Sequence, residues 1–190
     1  MEQRTQSIEN RILKVAITGP ESTGKSMLAS ALAEYYDTCY NPEYAREYLQ
    51  SINRQYTYDD VVHIGLKQMN SELQMLQKAN KVLFCDTDLL VIKTWMDFKY
   101  QKHPRWVADW IISGGYDLFI LCNIDIPWEP DPLREHPEAR QELFNIYYNE
   151  LNNNSLNFII ASGSHHERMK QSTQTISNLF GIFKQSIKCI

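Results

Sequence analysis

The eight residues from Gly19 to Ser26 constrain the fold of this chain more than any other stretch of its sequence. They read Gly-Pro-Glu-Ser-Thr-Gly-Lys-Ser and match the phosphate-binding loop G-x-x-x-x-G-K-[ST] at every fixed position. The apolar run at 12–18 predicts a strand before the loop, and the pattern at 27–36 predicts a helix after it. A chance match would not be expected to have both flanks, so the sequence predicts a site for a nucleoside triphosphate.

The residue types in this loop explain how it would hold a polyphosphate. Gly19 and Gly24 allow a tight turn and a close approach of backbone N–H groups to an anion at the start of the helix. Lys25 would reach the β- and γ-phosphate oxygens, and the Ser26 hydroxyl would bind Mg²⁺. We therefore expect ATP and Mg²⁺ as cofactors, with loop contacts to ATP from Gly19, Glu21, Ser22, Thr23, Gly24, Lys25 and Ser26.

Length and charge limit what the rest of the chain can do. The 190 residues are enough for a substantial core, so we expect one domain over 1–190 with a polar N-terminal extension at 1–10. A net charge of −4 gives no basic surface for nucleic acid, and no apolar run is long enough for a membrane span. The four cysteines have no C-x-x-C spacing, which favours free thiols and a cytoplasmic location.

Short apolar strands alternate with helices along the chain. Strands are predicted at 12–18, 38–40, 81–85, 118–122 and 158–161, and helices at 27–36, 43–51, 89–100, 105–112 and 138–151. Two further helices are expected after capping boxes, one formed by Thr57 and Asp60 and the other by Ser164 and Glu167. This alternation predicts an α/β P-loop NTPase fold, with a five-stranded parallel sheet covered by helices on both faces.

Apolar residues identify the expected inner faces of two helices. The long helix after Thr57 runs to about residue 78, and its stripe repeats every three or four residues. The residues of that stripe are Val62, Leu66, Met69, Leu73 and Leu76. In the terminal helix, the residues expected to face inward are Met169, Ile176, Leu179 and Phe183.

Acidic residues follow three of the predicted strands, at the edge of the sheet where ligands bind. Asp86 directly follows a buried strand, the position from which an aspartate holds Mg²⁺ in phosphate-loop proteins. Asp88 lies two residues further along. It could share the metal site or accept a proton, or it could cap the helix that follows. The sequence leaves both roles open.

Four sequence elements occur here in an order that resembles one known family. They are the phosphate loop, Glu-Tyr-Ala-Arg at 43–46, Phe-Cys-Asp-Thr-Asp at 84–88 and Pro-Trp-Glu-Pro-Asp-Pro-Leu-Arg at 127–134. Together they resemble the nicotinamide riboside kinase domain of NadR-type NAD-salvage proteins, within the AAA_28 group of phosphate-loop ATPases. The similarity extends from about Val15 to about Arg168. The phosphate loop alone is unspecific. The Glu-Tyr-x-Arg and Trp-x-x-Asp-x-x-Arg patterns of the second and fourth elements narrow the resemblance considerably.

The resemblance implies transfer of the ATP γ-phosphoryl group to the ribose 5′-hydroxyl of nicotinamide riboside, which would give nicotinamide mononucleotide. Glu43 would face the ribose and accept the hydroxyl proton, while Arg46 would order this junction or contact phosphate. Arg134 lies at the position of the family's lid arginine. Members of the family commonly have glycine where this chain has Pro132, which implies a stiffer lid.

A proline-rich loop and the helix after it, at about 127–151, would form this lid. Its arginines, Arg134 and Arg140, would close over the phosphates, or they would pair in solvent with nearby glutamates. Arg168 is a further expected ATP-binding residue. The expected catalytic residues are Lys25, Glu43, Asp88 and Arg134.

A site for nicotinamide riboside should offer an aromatic face, because the nucleoside carries a positive charge on a flat pyridinium ring. Trp128 follows the fourth strand, and Tyr44 follows the second. We expect both to bind the substrate together with Glu43 and Arg46, although Trp128 could instead pack on the lid helix.

Two classes of function fit these observations. The first is a kinase for nicotinamide riboside or for another nucleoside, and the second is a regulatory ATPase that acts on a partner protein. A kinase needs a carboxylate and an aromatic platform that face the γ-phosphate. Because Glu43, Tyr44 and Trp128 are candidates for these parts, the sequence favours the kinase, with a small-molecule nucleoside as its partner.

Overall fold

The computed structural model describes residues 11–113 and 115–181, so the predicted extension at 1–10 lies outside the described residues. Strands and helices alternate along this part of the chain as predicted. In order they are β1 (Leu13–Thr18), α1 (Lys25–Tyr35), β2 (Tyr40–Asn41), α2 (Tyr44–Ser51), α3 (Tyr58–Leu76), β3 (Val82–Asp86), α4 (Leu89–Tyr100), α5 (Arg105–Ile112), β4 (Leu118–Cys122), α6 (Arg140–Asn153), β5 (Phe158–Ala161) and α7 (His165–Phe180).

The five strands form one parallel sheet, which confirms the predicted α/β class. The strand order is β2-β3-β1-β4-β5, with Ile17 of β1 opposite Asp86 of β3 and Ile120 of β4. The chain leaves β1 to one side for β2 and β3, then crosses to the other side for β4 and β5. This reversal beside β1 opens a crevice at the carboxyl ends of the strands, where ligands of such folds bind.

Helices cover both faces of the sheet, because alternate residues of each central strand point to opposite sides. In β1, Val15 and Ile17 belong to a core closed by α1 and α7, whereas Ala16 belongs to a core closed by α2 to α6. Every residue of β1 is buried, including Lys14. The phosphate loop therefore begins from a strand that is packed on both faces.

The predicted buried stripe of α3 is wrong at two of its five positions, while Val62, Met69 and Leu76 are half-buried against the core as expected. Leu66 and Leu73 are 39% and 43% exposed. Two polar residues, Gln68 and Glu72, lie on the inner face that the structure shows. Gln68 Nε2 donates to the Thr87 carbonyl at 2.9 Å, and Glu72 Oε2 accepts from the Lys14 ammonium at 2.6 Å. The residues that α3 buries are Asp60, Val61, Ile64, Gly65, Gln68 and Glu72.

Both predicted capping boxes form. The Thr57 backbone N–H donates to Asp60 Oδ2 at 2.7 Å, and the Ser164 backbone N–H donates to Glu167 Oε2 at 2.7 Å. Each bond satisfies a backbone donor that the first helical turn cannot satisfy by itself. The helix of the predicted lid begins later than expected, since α6 begins at Arg140 and leaves a longer loop before it.

Leu179 of α7 was expected to face inward and is 53% exposed, while Phe183 lies outside the described residues. Cys85 and Cys122 are buried free thiols, as expected, and Cys189 also lies outside the described residues. Within residues 11–113 and 115–181, no helix is both long enough and apolar enough to cross a bilayer.

Candidate active site

The phosphate loop leaves β1 at Gly19 and enters α1 at Lys25. Gly19 has a φ of 127°, and a Cβ atom there would lie 2.9 Å from the Cys122 carbonyl oxygen, so a side chain does not fit. Gly24 caps α1 with a φ of 77°. Lys25 Nζ donates to the Pro20 carbonyl at 2.8 Å, across the loop. Because a phosphate oxygen is a stronger partner for an ammonium than a carbonyl is, Lys25 can exchange one for the other.

Asp86 lies beside this loop at the end of β3 and is only 3% exposed. Burial raises the pKa of Asp86 to about 6, although the Ser26 hydroxyl and the Lys25 ammonium both act to lower it. The carboxylate of Glu43 raises the same pKa, and the guanidinium of Arg46 lowers it. The fold therefore brings together five side chains that the sequence had predicted at three separate junctions.

The environment of Asp86 fits a magnesium ion. Its Oδ1 atom is buried and has no hydrogen-bond partner among the described residues, and the Ser26 hydroxyl lies next to the same carboxylate. A carboxylate and a hydroxyl supply oxygen ligands, which Mg²⁺ prefers, and the remaining ligands of such sites are usually water and substrate phosphates. Residues 11–113 and 115–181 contain no group of three or more His, Cys, Asp or Glu that could hold a metal ion.

Asp88 caps α4. Its Oδ1 atom accepts hydrogen bonds from the backbone N–H groups of Leu90 at 2.6 Å and Val91 at 3.0 Å. Asp88 is fully buried, and burial raises its pKa to about 7. Of the two roles that the sequence left open, this geometry favours the cap.

Three arginines converge on the phosphate loop. Arg140 donates to the Ser22 carbonyl at 3.0 Å and to the Ile126 carbonyl at 3.1 Å. Arg134 donates to Ser22 Oγ at 3.2 Å. Burial, together with the neighbouring guanidinium groups of Arg134 and Arg168, lowers the pKa of Arg140. Such a concentration of positive charge beside the loop is suited to a polyphosphate.

Arg168 is almost completely buried and supports the loop from beneath. It donates to the carbonyl groups of Thr23 at 2.6 Å, Gly163 at 3.0 Å and Asn123 at 3.1 Å, and it pairs with Asp125. These bonds tie the loop after β1 to the loops after β4 and β5. Arg168 thus holds the phosphate loop in place through backbone contacts.

An open cleft of about 980 Å³ begins at the phosphate loop and ends in a pocket of aromatic residues. Glu43 and Arg46 line the cleft near the loop, and Arg46 Nη1 pairs with Asp131 of the lid at 3.0 Å. The wall at the far end includes Tyr56, Tyr58, Trp95, Phe98, Lys99 and Tyr100. The cleft is therefore lined by charged residues beside the loop and by this group of aromatic residues, which we call its aromatic end.

The sequence interpretation missed the aromatic end. Trp95 and Phe98 lie on α4, whose first turn follows Asp86, and Trp95 Nε1 donates to Tyr56 Oη at 3.1 Å. The rings of Tyr56 and Trp95 meet edge to face, with centroids 5.0 Å apart. A signal was present, because Val91, Trp95 and Phe98 recur at helical spacing after a ligand-binding strand end.

Neither Tyr44 nor Trp128 is among the described residues that line this cleft. Trp128 lies on the lid, where its ring is 5.9 Å from the guanidinium carbon of Arg134 and 5.8 Å from that of Arg140. Tyr44 begins α2, and its ring lies 6.3 Å from that of His63. Their substrate-binding roles remain predictions, and for Trp128 the contacts favour packing within the lid.

Comparison with known proteins identifies the family and the fold of this chain. The AAA_28 family model, an AAA domain, matches residues 14–168. The trifunctional NAD biosynthesis/regulator protein NadR of Escherichia coli (strain K12) is 30% identical over 177 residues, which cover 88% of this chain and 42% of that protein. The chain therefore spans less than half the length of this relative.

Two solved structures have a similar fold. A NadR protein in complex with NR has a TM-score of 0.78 and 20% identity, and the match covers 96% of this chain and 55% of that chain. A deoxyadenosine kinase from M. mycoides has a TM-score of 0.61 and 13% identity, and the match covers 88% of this chain and 100% of that chain. The predicted P-loop kinase fold is thereby confirmed. Because the family model matches most of its length, the chain belongs to the AAA_28 family of AAA domains.

Proposed function

We propose that this protein is an ATP-dependent kinase that phosphorylates the ribose 5′-hydroxyl of nicotinamide riboside and so forms nicotinamide mononucleotide. The observation that carries the proposal is the single cleft that runs from the phosphate loop to the aromatic pocket. A regulatory ATPase that acts on a partner protein does not need a pocket of this kind beside its phosphate site. The cleft therefore favours a small acceptor.

Positive groups on the donor side would stabilise the phosphoryl group during transfer. Lys25 and the two lid arginines, Arg134 and Arg140, lie beside the loop, with residues 127–151 as the lid. Phosphoryl transfer depends mainly on such positioned charges, because little covalent chemistry falls to the protein. When bound, Mg²⁺ would neutralise charge on the phosphates, and Ser26 and Asp86 would hold it.

Glu43 is the carboxylate best suited to accept the proton of the acceptor hydroxyl. It lines the cleft at the N-cap of α2 and lies close enough to Asp86 to influence its pKa. Asp88 is fully buried and engaged by the backbone of α4, so we assign it a positioning role. A hydroxyl held between Glu43 and the phosphate loop would be oriented for direct attack on the γ-phosphate.

The aromatic end of the cleft supports a flat, cationic acceptor. Trp95 offers an indole ring there, and a cation over an indole gains on the order of 2 kcal/mol once it is desolvated. Glu135 also lines the cleft at this end, where it pairs with the Lys99 ammonium. The NadR structure in complex with NR, the usual abbreviation of nicotinamide riboside, supports the same choice of acceptor.

The proposal is tested with a panel of acceptors. ADP release is measured with nicotinamide riboside, adenosine, deoxyadenosine and uridine, and products are identified by mass spectrometry. We expect nicotinamide riboside to give the highest kcat/KM, with nicotinamide mononucleotide as product. A higher kcat/KM for a neutral nucleoside would reassign the acceptor. ADP release that no acceptor increases would instead support the regulatory ATPase.

A further inference from the structure

Glu21 places a carboxylate in a loop that is expected to bind a polyphosphate. It occupies a free position of the motif and lines the cleft, so its carboxylate would lie near a bound polyphosphate of the same charge. Its Oε2 atom accepts hydrogen bonds from the backbone N–H groups of Glu135 at 3.1 Å and His136 at 3.2 Å. The Glu21 carboxylate therefore holds two backbone amides of the lid.

The same two lid residues also contact the aromatic end of the cleft. Glu135 Oε2 accepts from Tyr56 Oη at 2.6 Å and pairs with Lys99 Nζ at 3.0 Å. The ring of His136 meets that of Phe98 edge to face, with centroids 5.0 Å apart. Although partial burial acts to raise it, the pKa of Glu135 is lowered by the Tyr56 hydroxyl and the Lys99 ammonium. We call Glu135 and His136 the lid tip.

We propose that Glu21 is a positioning residue that fastens the lid tip to the phosphate loop, and that the lid tip thereby couples the ATP site to the acceptor pocket. This coupling rests on the proposed function, since it needs two ligands. The lid tip bonds to the loop through its backbone and to the acceptor wall through its side chains. A ligand that orders either contact reduces the cost of ordering the other, so each ligand should strengthen binding of the other.

The fastening contact is tested without any ligand, by hydrogen exchange of lid peptides in the free protein. Glu21→Ala removes the acceptor of both lid-tip amides, so exchange over 133–138 should become roughly fivefold faster or more, given the usual strength of hydrogen bonds to a charged acceptor. Glu21→Gln keeps an acceptor oxygen and should restore most of the protection. Glu138→Ala changes an exposed carboxylate of the same lid and is the matched control.

Unchanged exchange in a folded Glu21→Ala protein would overturn the fastening role. Circular dichroism establishes that the variant is folded. Faster exchange in the Glu138→Ala control to the same extent would also overturn it, because the effect would then report any loss of lid charge. Neither outcome depends on the identity of the acceptor.

Coupling between the sites is measured by calorimetry with AMP-PNP and nicotinamide riboside. In the wild-type protein, saturating AMP-PNP should lower the Kd of nicotinamide riboside by roughly tenfold, within the usual range of coupling between sites. Glu21→Ala and Tyr56→Phe should each reduce this ratio toward one. The ratio compares the same variant with and without AMP-PNP, so a change in the Kd of either ligand alone does not enter it. An undiminished ratio in Glu21→Ala would overturn the coupling, whereas a wild-type protein that binds AMP-PNP but no nicotinamide riboside would overturn the proposed acceptor instead.

Discussion

Replacement of Asp86 by asparagine should stabilise the folded protein at neutral and alkaline pH while it disables the site. Burial raises the pKa of this carboxyl from its ordinary value of 3.8 to about 6. The folded protein therefore prefers the neutral acid, and ionisation opposes folding as the pH rises from about 4 through 6. At 1.36 kcal/mol for each unit of pKa, the full effect above pH 7 is about 3 kcal/mol.

The assay is urea unfolding of wild-type and Asp86→Asn proteins at pH 5 and pH 8, followed by tryptophan fluorescence. About half of the effect is already present at pH 5, so the difference in unfolding free energy should shift by about 1.4 kcal/mol in favour of the variant at pH 8. Because the same pair of proteins is compared at both pH values, any pH-independent free-energy cost of burying the new amide cancels. A difference that does not grow with pH would refute the reasoning.

Asp60→Asn provides a control, because its effect on the unfolding free energy should have the opposite sign to that of Asp86→Asn. The Arg54 guanidinium, which donates to both carboxylate oxygens, holds the pKa of Asp60 well below its usual range. This carboxylate stabilises the fold above its unfolded pKa, so Asp60→Asn should be less stable than wild type at pH 8. Stabilisation by Asp86→Asn together with loss of turnover would mark Asp86 as a residue retained for function at the expense of stability.

Lys25→Ala should abolish turnover with an unchanged circular dichroism spectrum, because the lost charge acts on the γ-phosphate; near-normal phosphoryl transfer would contradict the phosphate-loop assignment. Trp95→Leu should raise KM for nicotinamide riboside roughly thirtyfold more than for an uncharged nucleoside, whereas Trp128→Leu should affect both alike; the reverse pattern would return the platform to Trp128. Lys14→Met should lower the unfolding free energy by about 3–5 kcal/mol, because it leaves the buried carboxylate of Glu72 without its cation. The double variant with Lys14→Met and Glu72→Leu should recover most of this loss in urea titrations. If the two substitutions instead lower the unfolding free energy additively, the pairing is refuted.

Much of this fold follows from local sequence signals. The phosphate loop, the two capping boxes and the strand at 81–85 each depend on residues within a few positions of one another, so the pattern alone predicts them. The same holds for Asp86, because a strand end fixes where its side chain lies. Each of these features could be predicted before any tertiary contact was known.

The features that could not be predicted depend on partners far away in the chain. The inner face of α3 carries Glu72, which is buried because Lys14 and Tyr116 reach it from β1 and from the segment before β4. A periodicity analysis that counts apolar residues selects the neighbouring face instead. The aromatic pocket is a mixed case: the helical spacing of Trp95 and Phe98 could have indicated one wall, but the contact of Trp95 with Tyr56 forms only in the folded chain.

The attachment of the lid to the phosphate loop limits how the two segments could be exchanged between related proteins. Glu21 and Ser22 occupy positions that the loop motif leaves free, yet they hold the lid: Ser22 Oγ accepts from the Glu129 backbone N–H at 2.8 Å, and Glu21 accepts from the lid tip. These two positions therefore contact the lid as well as belonging to the loop. A chimera that receives the lid of a relative should therefore need the relative's residues at 21 and 22 as well, so that loop and lid would have to be exchanged as one module.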